Sequence, residues 1–268
     1  PINVTIFKYY SFLKSIMFVN AINPVLLSLG PLEIRYYGII YALGFFIGIL
    51  FLQYFARKGY IKLTKDQIYD LFFWLIIGVV VGARLFEVFV WNPKFYFANP
   101  GKILAVWQGG LSFHGAVIGA IVALYFYTKK NNLNFMRLAD LIVVPATLAI
   151  ALGRIGNFLN SELYGHPYTG PLCVIFQRVD DLCRHPYQIY SAIKRTVVFA
   201  FLFWLNKKEH KEGFIFWNFI FFIGLGRFFL DYFRVDQLYF GLSTGQWLSL
   251  IMVLAGGFIL IKKYKVFK

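Results

Sequence analysis

Seven apolar runs, at about residues 38–56, 68–91, 112–128, 138–153, 189–205, 213–231 and 245–262, are each of membrane-spanning length or close to it. That leaves the chain few alternatives. A hydrocarbon core about 30 Å thick is crossed by roughly 20 apolar residues in a helix, because a helix satisfies its own backbone hydrogen bonds where no water can. Composition agrees, with 59% of the 268 residues apolar, 21% aromatic and only 15% charged, far from the balance of a soluble domain. The expected fold is therefore an all-α integral membrane protein, a bundle of about seven transmembrane helices with an extracytoplasmic head segment, residues 154–188, between helices four and five. The third and fourth runs are short, so their ends are the least well set. No linker-like or low-complexity segment divides the chain and no repeat is evident, so residues 1–268 read as a single polytopic membrane domain.

The net charge of +15 invites a nucleic-acid reading, but the basic residues fall in short connections between apolar runs. Alternate connections carry Arg57, Lys58, Lys62 and Lys65, then Lys129, Lys130 and Arg137, then Lys207, Lys208 and Lys211, and finally Lys262, Lys263, Lys265 and Lys268. This pattern argues for membrane lipids and no nucleic acid as partners, and it makes those connections cytoplasmic. The connections with Lys94 and Lys102, and with Arg178 and Arg184, then face outward with the N-terminus. Residues 1–17 carry Lys8 and Lys14 among aromatics without a small-residue cleavage site. Either a start at Met17 or an interfacial helix accounts for them. Cys173 and Cys183, ten residues apart in one outer segment, lack zinc-site spacing. They would pair if that side is oxidising, and are otherwise structural or incidental. Gly44 and Gly48, Gly78 and Gly82, and Gly115 and Gly119 are small-xxx-small pairs of the kind that let helices pack closely in lipid.

Ionised residues inside or against apolar runs narrow the function. In Gly153-Arg154-Ile155-Gly156-Asn157-Phe158-Leu159-Asn160-Ser161-Glu162-Leu163-Tyr164-Gly165, Arg154 follows the apolar residues 141–152 and needs an anion there. Arg154 and Asn157 lie on one helical face, and a guanidinium grips phosphate with two parallel hydrogen bonds. Snorkelling of Arg154, with Glu162 as its structural partner, explains the same residues equally well. Arg84 with Glu87 favours a self-neutralising i,i+3 pair, and Arg227 with Asp231 is an i,i+4 pair. Asp140, Lys194 and Arg195 also need interior, aqueous or charged partners. Ser112 suits a helix cap, which leaves His114 in the first turn at the positive end of the helix dipole, as a neutral ring able to accept a proton. A structural interfacial histidine is the simpler reading of His114 on residues alone.

The stretch from Gly153 to Gly165 resembles the signature of the prolipoprotein diacylglyceryl transferase family. Tyr36-Tyr37-Gly38, Ser112-Phe113-His114-Gly115, Arg184-His185-Pro186 with Gln188 and Tyr190, Gly226-Arg227 and Gly245-Gln246 resemble further family elements in the family's order, so the likeness runs from about residue 18 to the end. The resemblance implies a multi-pass protein of the bacterial cytoplasmic (inner) membrane with its active site towards the outer leaflet. Such an enzyme moves the diacylglyceryl group of phosphatidylglycerol onto the lipobox cysteine of a prolipoprotein signal peptide, releasing glycerol phosphate. It implies neither cofactor nor metal. His114, Arg154 and Arg227 are then the catalytic residues, and Arg154, Arg227, Tyr37, Asn157, Glu162, Gly165 and Asp231 bind phosphatidylglycerol. Tyr37 also fits an interfacial aromatic belt.

Two residues depart from the family pattern. Ser191 stands where a glutamate is typical, followed by the basic pair Lys194 and Arg195, and Asp231 stands for a glutamate on a longer arm. The rival readings are an anion or lipid transporter, which lacks support from inverted repeats or paired broken helices, and a scaffold of the same bundle. A metal-dependent phosphatidyltransferase would gather several aspartates, whereas Asp140 and Asp231 stand apart in sequence.

Overall fold

The computed structural model describes residues 18–30 and 32–266; residues 1–17, whose status the sequence left open, lie outside them. Among the described residues, seven helices have 17 to 25 residues: α1 (Tyr36–Arg57), α2 (Lys65–Phe86), α4 (Phe113–Lys130), α5 (Phe135–Leu159), α6 (Tyr187–Leu205), α7 (Phe214–Leu230) and α8 (Thr244–Tyr264). A short α3 (Pro93–Ala98) follows a π-helical turn, Glu87–Trp91, that prolongs α2. Each apolar run falls on one long helix. Five of these helices, α1, α2, α5, α7 and α8, are long and apolar enough to cross a membrane. The other two are diluted by polar residues, α4 by His114, Lys129 and Lys130 and α6 by Lys194 and Arg195.

Local chemistry sets the helix ends. Thr64 caps α2 through a capping box, its Oγ1 accepting from Gln67 N at 3.2 Å while Gln67 Oε1 accepts from Thr64 N at 2.9 Å. Ser243 and Gln246 repeat the device at α8, with both residues buried. α5 outruns the apolar run that announced it, continuing through Arg154 and Asn157 to Leu159.

The connections add three small sheets that a hydropathy reading does not find, because their strands are two to five residues long. β1 (Phe18–Asn20) pairs in parallel with β4 (Val174–Phe176), which pairs antiparallel with β5 (Cys183–Arg184). Cys173 and Cys183 form a disulfide beside that hairpin, with Cα atoms 5.4 Å apart. Buried Asn20 ties the sheet to α5 by donating to Phe158 O at 2.6 Å. β2 (Val25–Leu29) and β3 (Leu32–Arg35) form a hairpin leading directly into α1, and β6 (Leu238–Tyr239) with β7 (Leu242–Ser243) leads into α8.

The chain forms two compact units. One comprises the residues up to Ile47 with Val143–Lys268, the other Gly48–Ile142, so both boundaries fall inside helices, α1 and α5. In the second unit α2 and α4 meet backbone to backbone. A methyl on Gly78 would lie 2.7 Å from Ala123 Cβ, one on Gly115 would overlap Gly82 O, and one on Gly119 would overlap Gly78 O. In the first unit Gly224 of α7 meets Ser249 O and Met252 Cβ of α8, each 2.9 Å from an added methyl. Small residues thus set both seams, as lipid-embedded packing requires when no hydrophobic driving force separates helix from lipid.

Candidate functional site

The first unit concentrates cations around Arg154. This residue sits in the last turns of α5, where its Nη1 donates to Asn157 Oδ1 at 3.3 Å. Asn157, buried, donates in turn to Glu162 Oε2 at 3.1 Å, and Asn160 donates to Glu162 Oε1 at 3.2 Å. Glu162 therefore orients Asn157 and does not pair with Arg154. Among the described residues no carboxylate lies within ion-pair distance of Arg154. Tyr37, Tyr187, Arg227 and Arg234 are all near enough to interact with it electrostatically.

Arg227, in the last turn of α7, donates from Nε to Asp231 Oδ2 at 3.1 Å. The Asp231 side chain is fully buried, while Arg227 keeps 29% of its own exposed. Tyr187 OH donates to the other carboxylate oxygen of Asp231 at 2.5 Å. Asp231 is thus held from two sides and spends one oxygen on Arg227. Gly245 explains itself here: a methyl would lie 2.5 Å from Arg227 Nη2 and 2.5 Å from Asp231 Oδ2, so only glycine lets α8 lie against this ion pair. Gly156 plays the same part for Tyr37, whose ring would lie 2.8 Å from an added methyl. The Tyr37 hydroxyl shares a hydrogen bond with Tyr41 at 2.9 Å.

An apolar groove of about 300 Å³ lies between α5 and α6, lined by Ala151, Leu152 and Ile155 from α5 and by Ile189, Ala192 and Ile193 from α6. These residues alternate along their helices with Arg154 and with the Lys194–Arg195 pair. Charge and hydrocarbon therefore share two helices.

Gly165 lies elsewhere in the head segment. It pairs with Arg234 across a β-bridge, accepts from Arg184 Nη1 at 3.3 Å, and would place a methyl 2.6 Å from both His185 Cβ and Phe233 O. The structure thus gives it a packing role, without contact to Arg154. His185 stacks on Tyr168 with ring centroids 4.0 Å apart and shares a hydrogen bond with Tyr190 at 3.3 Å. Burial, and secondarily His166, lowers its pKa. Burial raises the carboxyl pKa of Asp236, which lies 3.2 Å from Arg234.

The second unit holds His114. Ser112 caps α4 and accepts from Gly115 N and from Trp91 Nε1, the latter at 3.0 Å, which sets His114 in the first turn. Its exposed ring lies 6.1 Å from those of Phe86 and Trp91. The expected Arg84–Glu87 pair is absent. Arg84 is buried and donates to five backbone carbonyls: Lys102 at 2.5 Å, Gly109 at 2.6 Å, Ile103 and Gly110 at 2.8 Å, and Ala105 at 3.2 Å. Glu87 instead accepts from Asn92 at 2.6 Å. Carbonyls of a loop 18 to 26 residues away win over a carboxylate three residues away, because the loop can bring five acceptors to one guanidinium.

Among the described residues no three of His, Cys, Asp and Glu gather closely enough to hold a metal ion. Sequence reasoning passed over Tyr187 and Arg234. Nothing in the sequence singles out Tyr187, and only the fold brings it to Asp231.

The sequence model of the prolipoprotein diacylglyceryl transferase family matches residues 24–262. A protein of Geobacter sulfurreducens named phosphatidylglycerol–prolipoprotein diacylglyceryl transferase is 39% identical over 241 residues, covering 88% of this chain and 93% of the relative. The equally named protein of Tolumonas auensis is 37% identical over 247 residues, covering 90% and 95%, and that of Bordetella parapertussis 39% identical over 243 residues, covering 88% and 93%. With the match running from β2 to the end of α8, this chain belongs to the prolipoprotein diacylglyceryl transferase family.

Proposed function

We propose that this chain transfers the diacylglyceryl group of phosphatidylglycerol to the lipobox cysteine of prolipoproteins. It is a transferase of a bacterial membrane, with phosphatidylglycerol and prolipoprotein as its substrates. The observation that carries this beyond the family is the cluster in the first unit, where Arg227 pairs with the buried Asp231, Arg154 stands near Arg227 with no carboxylate of its own, and the helix that carries Arg154 also lines an apolar groove. That combination suits a phospholipid, whose phosphate and acyl chains are joined.

The reaction needs a sulfur nucleophile at a primary carbon and an anionic leaving group. A cysteine thiol, with a pKa of about 8.5, is mostly protonated at neutral pH, so His114 takes the proton as general base. Sulfur attacks the glyceryl carbon, the carbon–oxygen bond breaks, and its electron pair leaves with the phosphate that Arg154 and Arg227 hold. Asn157, oriented by Glu162, places one acceptor on Arg154, and Asp231 fixes Arg227. Tyr37 completes the lipid site, and Gly165 serves it only by packing the head segment.

The membrane is the cytoplasmic (inner) one, crossed seven times, with the head segment outside and the lysine-rich connections inside. Support comes from the charge pattern and from the Cys173–Cys183 disulfide in the head segment, since disulfides persist in oxidising compartments. Labelling of a cysteine at position 208 from outside the cell would reverse this topology. Function is tested by incubating the purified protein with phosphatidylglycerol and a lipobox peptide. Thioether-linked diacylglyceryl peptide and free glycerol phosphate are expected, and phosphatidylglycerol movement without either product would point to a transporter.

A further inference from the structure

Arg195 lies one helical turn after Ser191 on α6 and is only 3% exposed. Its Nη1 donates to Ser191 O at 3.1 Å and to the Ser191 hydroxyl, while its buried Nε has no partner. Among the described residues it has no carboxylate within ion-pair distance. It interacts electrostatically with Arg154, Tyr187, Arg227 and Asp231, and Lys194 with Arg195, Arg154, Arg227 and Asp231. Lys194, Arg195 and Arg227 therefore draw on one carboxylate, Asp231, while Arg154, near Arg195 and Arg227, has none. A buried guanidinium left so is costly unless an anion completes it.

The charge balance of the reaction supplies that anion. In phosphatidylglycerol the phosphate is a diester with one negative charge. When the thiolate displaces it, the carbon–sulfur bond forms, the carbon–oxygen bond breaks, and the electron pair stays on phosphate, which leaves as a monoester carrying a second negative charge. Arg154, with Arg227 already half-committed to Asp231, suffices for the first charge.

We propose that Arg195 is a further residue of the transfer reaction, its carboxylate-free guanidinium stabilising the second charge that the departing glycerol phosphate acquires. The inference rests on the reading of the Arg154–Arg227 cluster as the phosphate site. An interaction that exists only after the bond begins to break raises kcat and leaves KM for the intact lipid alone. Ser191 belongs to the same device, because a carboxylate there would stand one turn before Arg195 and neutralise it.

The test is steady-state transfer from phosphatidylglycerol to a lipobox peptide. Arg195→Gln is expected to lower kcat by about 10- to 100-fold with KM within about threefold, and Arg195→Lys to recover part of the loss. Inhibition by free glycerol phosphate weakens in Arg195→Gln. If Arg195→Gln does not fold, the pair Ser191→Glu and Ser191→Gln carries the test, since they differ in charge and hardly in size. Ser191→Glu should lose kcat relative to Ser191→Gln. Equal rates in that pair, an unchanged kcat in Arg195→Gln, or a loss confined to KM would each overturn the proposal. Unimpaired transfer in Arg154→Ala and Arg227→Ala would instead refute the phosphate site itself, whatever Arg195 does.

Discussion

Arg84 and Arg154 look alike in the sequence, each an arginine near the end of an apolar run, yet their surroundings are opposite. Arg84 spends its guanidinium on five backbone carbonyls and lies 4.8 Å over the Tyr96 ring. Arg154 makes one side-chain hydrogen bond, at 3.3 Å. A cation saturated by the backbone organises the loop that surrounds it. A half-buried cation with one long hydrogen bond keeps most of its donors free for a ligand. The fold of a membrane enzyme can thus be sorted into scaffold and site by asking which buried charges are already answered.

That contrast is easily challenged. Arg154→Ala and Arg227→Ala should each reduce transfer by more than about 100-fold; Arg154→Ala should melt close to the parent, whereas Arg227→Ala, which strands the buried Asp231, should also lose stability, and Arg154→Lys should be poor because an ammonium cannot reproduce the two-pronged grip. Melting that fell as far as activity would make Arg154 scaffold too. His114→Asn should lower kcat by about 10²–10⁴-fold with phosphatidylglycerol binding retained; a drop under tenfold is too small for a general base. Arg84→Ala should show the reverse signature, a stability loss above about 3 kcal/mol from stranding buried carbonyls, with hydrogen exchange in residues 99–112 rising first. Gly119→Val should cost about 1–3 kcal/mol by forcing α2 and α4 apart, read as a lowered melting temperature with no effect on the Arg154 cluster.

The smallest effect concerns pH. Asp180 accepts from Arg184 Nη2 at 2.5 Å, and this hydrogen bond holds its carboxyl below the usual range. A carboxyl depressed in the folded state adds stability above its unfolded pKa and loses it as pH falls through the folded value. Because the Asp180 side chain keeps 32% of its surface exposed, solvent screens much of this, and Asp180→Asn should cost under about 1 kcal/mol at neutral pH. Its melting curve should converge with that of the parent in acid.

How much of this was legible beforehand follows from the range of the interactions. Apolar runs report helices directly, because burial in lipid is decided residue by residue. All seven long helices fall on such runs. The small-residue pairs also announced themselves, although which seam joined which did not. Arg84 was misread because the sequence shows the neighbour at i+3 and hides a loop of carbonyls. Tyr187 and the partnerless Nε of Arg195 were invisible for the same reason: they exist only once α5, α6 and α7 are assembled. The strands escaped notice since two to five residues carry too little period to read.

Backbone, not side chains, closes the α2–α4 seam. Where glycine carbonyls and α-carbons touch directly, no side chain has rotamers to freeze, so closing the contact forfeits little conformational entropy. The seam equally has no soft parts with which to absorb an error. Helices that meet through leucines can slide and repack, whereas these two have a single workable spacing and a single workable register. The cap at Ser112, and with it the direction in which His114 points, is therefore gauged from Gly78 and Gly82 much as a machined edge gauges the part clamped against it.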